Sequence, residues 1–226
     1  RFLESSDTLI GKVFSSFIKA KGYSIIHFQH IIGFPVTLIR EALDAGCKVA
    51  VTLHDYWYFC RRVHLFIPDT KSVCTGPETP RKCALCLQPM LPHAEPDSLA
   101  KSISVQLEIT RGIFRRVHLL SAPSHFVKDI YTKFGFVNTR FEVNDLGLPD
   151  SQAMPKIKSQ YLRIGYIGSI HAIKNLETIV YAAQHTEDGC QYAIWGNGLF
   201  DSLNQLLDSI EDLKNISYNG PYIREN

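Results

Sequence analysis

The stretch at residues 48–60, KVAVTLHDYWYFC, constrains the fold more than any other. Its apolar run Val49-Ala50-Val51-Thr52-Leu53 is rich in β-branched residues and predicts a strand buried on both faces, as in a parallel sheet covered by helices. The run stops at His54-Asp55 and continues into the aromatic cluster Tyr56-Trp57-Tyr58-Phe59. Parallel α/β sheets bind ligands outside the carboxyl ends of their strands. An imidazole and a carboxylate delivered there, beside aromatic walls, are the first candidates for chemistry. A solvated strand end followed by core aromatics is the competing reading.

The rest of the chain repeats the same grammar. Residues 2–21 carry Leu3, Leu9, Ile10, Val13, Phe14, Phe17 and Ile18 at helical spacing, and Lys21-Gly22 ends that helix. A short strand over 23–28 delivers His27, Gln29 and His30 at its end. A helix over 35–45 follows, with Pro35 in its first turn and Gly46 beyond its end. Helix, strand, helix, strand, with histidines at both strand ends, predicts βα units and a parallel sheet. Residues 61–96 interrupt this alternation. They hold six of the eleven prolines and little apolar periodicity, so they read as a long irregular insertion. A helix over 97–116 resumes the pattern, capped by Asp97 or Ser98, with Ile103, Leu107 and Phe114 inward and Arg111, Arg115 and Arg116 forming a solvated basic end. A strand over 117–123, a helix over 125–134 capped by Ser124 and closed by Gly135, and a strand-like segment over 141–148 complete the first half.

Residues 149–160 are polar and proline-containing, a linker composition that places a domain boundary there. Two domains follow, 1–150 with a Cys-rich insertion at 60–96, and 161–226. The second restarts with strands over 162–167, 191–195 and 216–218 and helices over 175–185 and 200–213. The fold class expected is α/β, with two Rossmann-like parallel-sheet domains. The second is expected to be incomplete, since so small an open sheet leaves apolar edges exposed.

Charge and length exclude some functions. A net charge of +2 over 226 residues gives no electrostatic ground for nucleic acid or membrane binding. No apolar run approaches the roughly 20 residues that span a bilayer. The N-terminal residues form no signal peptide and carry no initiator Met, so a soluble, cytoplasmic protein seen as a fragment is expected. In that compartment the six cysteines are expected as thiols or metal ligands.

Three constellations carry chemistry. Cys60, Cys74, Cys83 and Cys86 follow the spacing C-x13-C-x8-C-x2-C, of which only the last pair has zinc-knuckle spacing. A structural zinc held by the four, with His64 or His93 able to replace one, is one reading. Unliganded thiols or disulfides are the others. Gly168-Ser169-Ile170-His171-Ala172-Ile173-Lys174-Asn175 joins a strand to a helix, where free N–H groups and the Lys174 charge suit a phosphate. An exposed loop lysine is the plainer alternative. Gly196-Asn197-Gly198 lies at the next strand end and reads as close ligand approach or as a tight turn. His27 and His30 read as a polar strand end rather than a metal pair.

Taken in order, VTLHDYWYFC with its later cysteines, SAPSHFVKDIYTKFG, LGLP, LRIGYIGSIHAIKNLETIVYAA and YAIWGNG resemble glycosyltransferase family 4 over nearly the whole chain. The resemblance implies the GT-B architecture, two Rossmann-like domains facing across a cleft. It also implies a retaining glycosyltransferase that moves a sugar from a nucleotide-diphosphate sugar to an acceptor glycan or lipid-linked glycan, as in polysaccharide biosynthesis. No metal or other cofactor is implied for the chemistry. Peripheral association with the inner membrane face is one option. By the same resemblance His54 is the catalytic residue near the transferred sugar and Ser124 faces the cleft, while His30 and Asp55, as polar residues at the strand ends, are placed with Ser124 on the acceptor or cleft side. Gly168, Ser169, Lys174, Asn175, Gly196 and Gly198 fall on the donor side, Lys174 neutralising the diphosphate. The family's G-R-x-x-x-x-K-G loop has Ser169 in place of arginine and Asn175 in place of the last glycine. A glycine-rich loop is expected before residue 1 and an E-x7-E segment after residue 226. A non-catalytic sugar-nucleotide or glycan-binding module is the alternative that Ser169 favours.

Overall fold

The computed structural model describes residues 8–147, 155, 158–186 and 189–222. The expected start of the first helix, the end of the segment at Leu148 and most of the linker therefore lie outside the described residues. The chain divides into two units, Arg1–Pro149 and Asp150–Asn226.

The first unit begins with helix α1 (Thr8–Lys21), strand β1 (Ile25–Phe28), helix α2 (Thr37–Asp44) and strand β2 (Lys48–Thr52). Within the insertion lie a two-stranded hairpin, β3 (Phe66–Ile67) and β4 (Ser72–Val73), and helix α3 (Pro80–Leu87), which runs into a 3₁₀ turn at Gln88–Met90. Helix α4 (Pro96–Arg116), strand β5 (Leu119–Ala122), helix α5 (His125–Lys133) and strand β6 (Phe141–Val143) follow. The main sheet has the order β1-β2-β5-β6, and all of its pairs are parallel. The alternation in the sequence predicts this arrangement, because a parallel pair needs a crossover and each expected helix supplies one.

Strand β2 lies between β1 and β5, and its Val49 and Val51 are 1% and 0% exposed. Helix α2 covers it with Leu38, Ile39 and Ala42, all buried. Each such aliphatic side chain contributes about 1.5–3 kcal/mol on burial. The aromatics after Asp55 enter the same core. Phe59 stands edge-on to Tyr131 at 4.9 Å, Tyr58 stands edge-on to Phe114 at 4.9 Å, and Phe136 packs beside both groups. Trp57, Tyr58 and Phe59 are therefore core residues, and of the three Trp57 also meets a candidate site residue, its ring 6.1 Å from that of His30.

Residues 61–96 are more ordered than their composition predicts. Thr79 caps α3, its hydroxyl accepting the Lys82 N–H at 3.2 Å, and Pro80 occupies the first turn. The helix is short and turns only Ala84 and Leu87 fully inward, so its periodicity is too brief to register in the sequence. It packs on α4 and buries against the same core as the sheet. Other boundaries differ by a residue or two. Helix α4 begins after Glu95, with no side-chain cap, and Asp97 pairs instead with Arg81 at 2.6 Å. Pro35 precedes α2 by two positions rather than lying in its first turn. At the end of α4, Arg116 pairs with Asp44 at 2.5 Å and Arg111 donates to the Phe134 carbonyl at 2.9 Å.

The second unit contains β7 (Leu162–Ile167), a 3₁₀ turn at Ala172–Lys174, α6 (Glu177–His185), β8 (Cys190–Trp195), α7 (Phe200–Ile210) and β9 (Ile216–Tyr218). Its three-stranded sheet is parallel in the order β7-β8-β9, and Ile194 at its centre is 0% exposed. Leu162 and Ile167 on the edge strand β7 are 64% and 67% exposed.

Gly76 fixes the insertion against α5. Its φ is +112°, and a Cβ there would lie 2.0 Å from Cζ of Phe134. The Gly76→Ala variant is expected to lose about 1–3 kcal/mol of stability, through overpacking and backbone strain together. Urea unfolding of the two proteins checks this; an unchanged midpoint would mean that the contact is not maintained.

Candidate functional site

The parallel register of β1 and β2 sets Phe28 beside Val51, so the polar residues after each strand emerge side by side. Four of them form one hydrogen-bonded array. His54 Nε2 meets Gln29 Oε1 at 2.8 Å, Gln29 Nε2 meets His27 Nδ1 at 3.2 Å, and His27 Nε2 meets Thr52 Oγ1 at 2.8 Å. An amide oxygen only accepts, so His54 carries its proton on Nε2. His54 itself is exposed, which leaves its ring edge available to a ligand while Gln29 holds its orientation.

Beside this array His30 accepts the Ile32 N–H at Nδ1 over 3.1 Å and donates from Nε2 to Asp55 Oδ2 over 2.7 Å. The other Asp55 oxygen accepts the Trp57 N–H at 2.8 Å, and its carbonyl accepts the buried Tyr131 hydroxyl at 2.7 Å. Asp55 thus ties the strand end to the core and positions His30. His27 and His30 point to different partners, as a polar strand end predicts. Ser124 follows β5, the other neighbour of β2, and its hydroxyl accepts the Val127 N–H at 3.3 Å as the cap of α5. Gln29 and Thr52 are the members of the array that the sequence reading leaves without a role. A polar residue directly after a strand adjacent to β2 was the available signal.

In the second unit the loop after β7 is built differently from expectation. The Gly168 N–H donates to the Trp195 carbonyl at 3.0 Å and the Ile170 N–H to the Asn197 carbonyl at 2.8 Å. These groups extend the β7–β8 pairing and do not face a ligand. Gly196 and Gly198 serve the same approach: a Cβ on them would lie 1.8 Å from the Gly168 oxygen and 2.3 Å from the Ile170 oxygen. The N–H groups of Lys174 and Asn175 bond back to His171 and Ala172 at 2.8 and 3.1 Å, and His171 Nδ1 caps the turn by accepting the Ile173 N–H at 3.3 Å. The Lys174 side chain is exposed. Asn175 has φ +50°, the left-handed conformation that glycine favours and asparagine tolerates, and its amide donates to the Thr178 hydroxyl at 2.8 Å. Asn175 therefore takes a backbone path that a glycine would take without strain. Ser169 is exposed, and its carbonyl accepts the Tyr166 hydroxyl at 2.8 Å.

Cys60, Cys74, Cys83 and Cys86 all line one cavity of about 210 Å³ in the first unit, walled also by Leu65, Ile103 and Leu107. Neither His64 nor His93 reaches it; both are exposed. The four cysteines are free thiols, and among the described residues no group of three or more His, Cys, Asp or Glu side chains stands in metal-holding geometry. Burial pushes the Cys83 thiol up to about 12, with the neighbouring Cys60, Cys74 and Cys86 adding to the rise. Burial also raises Cys60, while backbone N–H groups of Leu65 and Arg62 oppose the shift.

No family model and no curated protein matches the chain. Solved structures do. The chain superposes on Anabaena HepE (Alr3699) in complex with UDP with a TM-score of 0.60 at 15% identity, over 95% of this chain and 52% of that one. The HepE complex with UDP-glucose gives 0.56 at 13% identity, over 95% and 54%. TarM gives 0.55 at 10% identity, over 94% and 36%. The chain thus spans about half the length, or less, of these structures. At such identities the likeness establishes the fold, a parallel-sheet α/β arrangement of Rossmann-like units of the kind found in GT-B glycosyltransferases.

Two substitutions test the local geometry. Gln29→Ala is expected to release the His54 ring from a single tautomer, read by imidazole nitrogen resonances in NMR; an unaltered Nε2–H pattern would remove Gln29 from the role of orienter. Asn175→Ala is expected to cost about 1 kcal/mol, because alanine resists the left-handed conformation, whereas Asn175→Gly is expected to preserve stability in thermal unfolding.

Proposed function

We propose that the chain is part of a retaining glycosyltransferase that moves a sugar from a nucleotide-diphosphate sugar to an acceptor glycan or lipid-linked glycan. The observation that carries this reading is the array at the ends of β1 and β2, in which an exposed His54 is held in one tautomer by Gln29. The GT-B-like fold and the binding of UDP and UDP-glucose by HepE support it. In this reading His54 contacts the transferred sugar, donating or accepting at a hydroxyl and steadying charge that develops as the glycosidic bond to the donor breaks. His30, locked by Asp55, and Ser124 lie toward the acceptor. Lys174 neutralises the leaving diphosphate, where added charge makes a cation most useful in the transition state. The loop N–H groups that bond to Trp195 and Asn197 leave this work mainly to the lysine. The chemistry needs no metal under this scheme. Among the described residues no helix is long and apolar enough to cross a membrane; a lipid-linked acceptor would then be met by peripheral association at the inner membrane face.

Ser169 supports a second reading. A serine at the position of the family's arginine removes one cation from the donor side, as expected of a module that binds sugar nucleotide or glycan without turnover.

The test is made on the full-length protein, supplied with nucleotide-sugar donors and candidate acceptors. Release of nucleoside diphosphate is expected, and His54→Ala and Lys174→Ala are each expected to cut turnover at least about tenfold. Wild-type turnover in both variants would sink the catalytic assignment. Donor binding by calorimetry without any turnover would select the non-catalytic module.

A further inference from the structure

The cysteine cavity takes no part in the proposed transfer, and four thiols line its wall. Four thiols come to it from three separate places in the sequence. Cys60 ends the turn after β2, Cys74 follows β4, and Cys83 and Cys86 lie one helical turn apart on α3, facing the same space. Such convergence from separate segments is not what scattered buried thiols produce, and the wall between them is otherwise aliphatic and aromatic.

Several donors face these sulfurs, against the burial that holds the Cys60 and Cys83 thiols above their ordinary range. The Gly76 N–H is directed at Cys74 Sγ, 3.4 Å away, and the N–H groups of Arg62 and Leu65 are directed at Cys60. In both cases a donor comes from the residue two positions after the cysteine. Val63 and Leu65 hold φ values of +70° and +53°, a costly backbone for a β-branched and a branched residue, and the turn they make is the one that delivers these donors. Arg62 donates to the Cys86 carbonyl at 2.6 Å, its Nε lies 3.2 Å from Cys86 Sγ, and Lys82 borders the same cavity. Such donors would steady the sulfurs once a bound cation had displaced their protons.

We propose that Cys60, Cys74, Cys83 and Cys86 form a structural tetrathiolate site for one divalent zinc ion, which fastens the hairpin and α3 to the end of β2. Zinc takes four sulfurs tetrahedrally at about 2.3 Å, and thiolates are its preferred soft ligands among the cations that cells supply freely. On binding, each thiol gives its proton to solvent and its sulfur lone pair to the ion, and the sulfurs close in from the cavity wall. The site holds four protein ligands and leaves no open position, so its role is mechanical. It is independent of the transfer reaction proposed above.

The test uses the full chain, purified under reducing conditions without chelator and analysed for metal and for thiols. One zinc per chain is expected, released when the thiols are titrated with a mercurial. Replacement by cobalt is expected to give strong thiolate-to-metal charge transfer and the visible bands of tetrahedral cobalt. Cys83→Ser/Cys86→Ser is expected to lose the zinc. The cobalt spectrum of the unaltered chain keeps the test valid if that variant fails to fold. Four reactive thiols without metal after exposure to zinc, two disulfides by mass, or a cobalt spectrum lacking thiolate charge transfer would each overturn the proposal.

Discussion

Strand β2 can be as apolar as it is only because β1 and β5 take up its backbone hydrogen bonds on both sides while α2 covers its side chains. Its Val49 and Val51 have no exposure, so any shift of register would move the buried set and break the pairing at once. The register with β1 in turn sets Gln29 beside His54 and His30 beside Asp55. Every polar contact at the candidate site is therefore a consequence of one buried strand pair.

Asp55 shows how the core and the site are joined. One carboxylate oxygen holds His30, the other holds the Trp57 N–H, and the residue's carbonyl takes the hydroxyl of the fully buried Tyr131. Tyr131 packs among Phe59, Phe114 and Phe136, so the aromatic cluster stiffens the turn from beneath rather than walling a ligand. The same cluster carries the insertion, because Phe134, which packs on Phe59, also fills the space left by Gly76. A residue pattern that looks like a binding wall is instead the floor on which two functional regions rest.

Much of the fold was legible in the sequence, and the reasons are specific. The apolar runs at residues 49–53 and 191–195 are too hydrophobic for anything but buried strands, and the helix between each pair of strands leaves parallel pairing as the economical solution. His54, His30 and Lys174 could be picked out by position alone, at strand ends and a loop-to-helix join. The spacing of glycines was legible too, but not its purpose. Gly196 and Gly198 admit the carbonyls of Gly168 and Ile170, and one-dimensional pattern cannot tell which neighbour comes close. The helix in the insertion was hidden because only two of its residues are fully buried, too few for periodicity to emerge.

By itself the sequence determined the α/β class, the order of strands and helices outside the insertion, and the residue types available at each strand end. These follow from local hydrophobic period and turn chemistry, which need only a short window of residues. Tertiary structure alone decided that His54 is oriented by Gln29, that Asn175 takes over a glycine's conformation, and that four distant thiols face one cavity. Each of these depends on which strands pair and in which register. That choice is made by burying side chains from distant parts of the chain against one another, and local pattern carries no record of it.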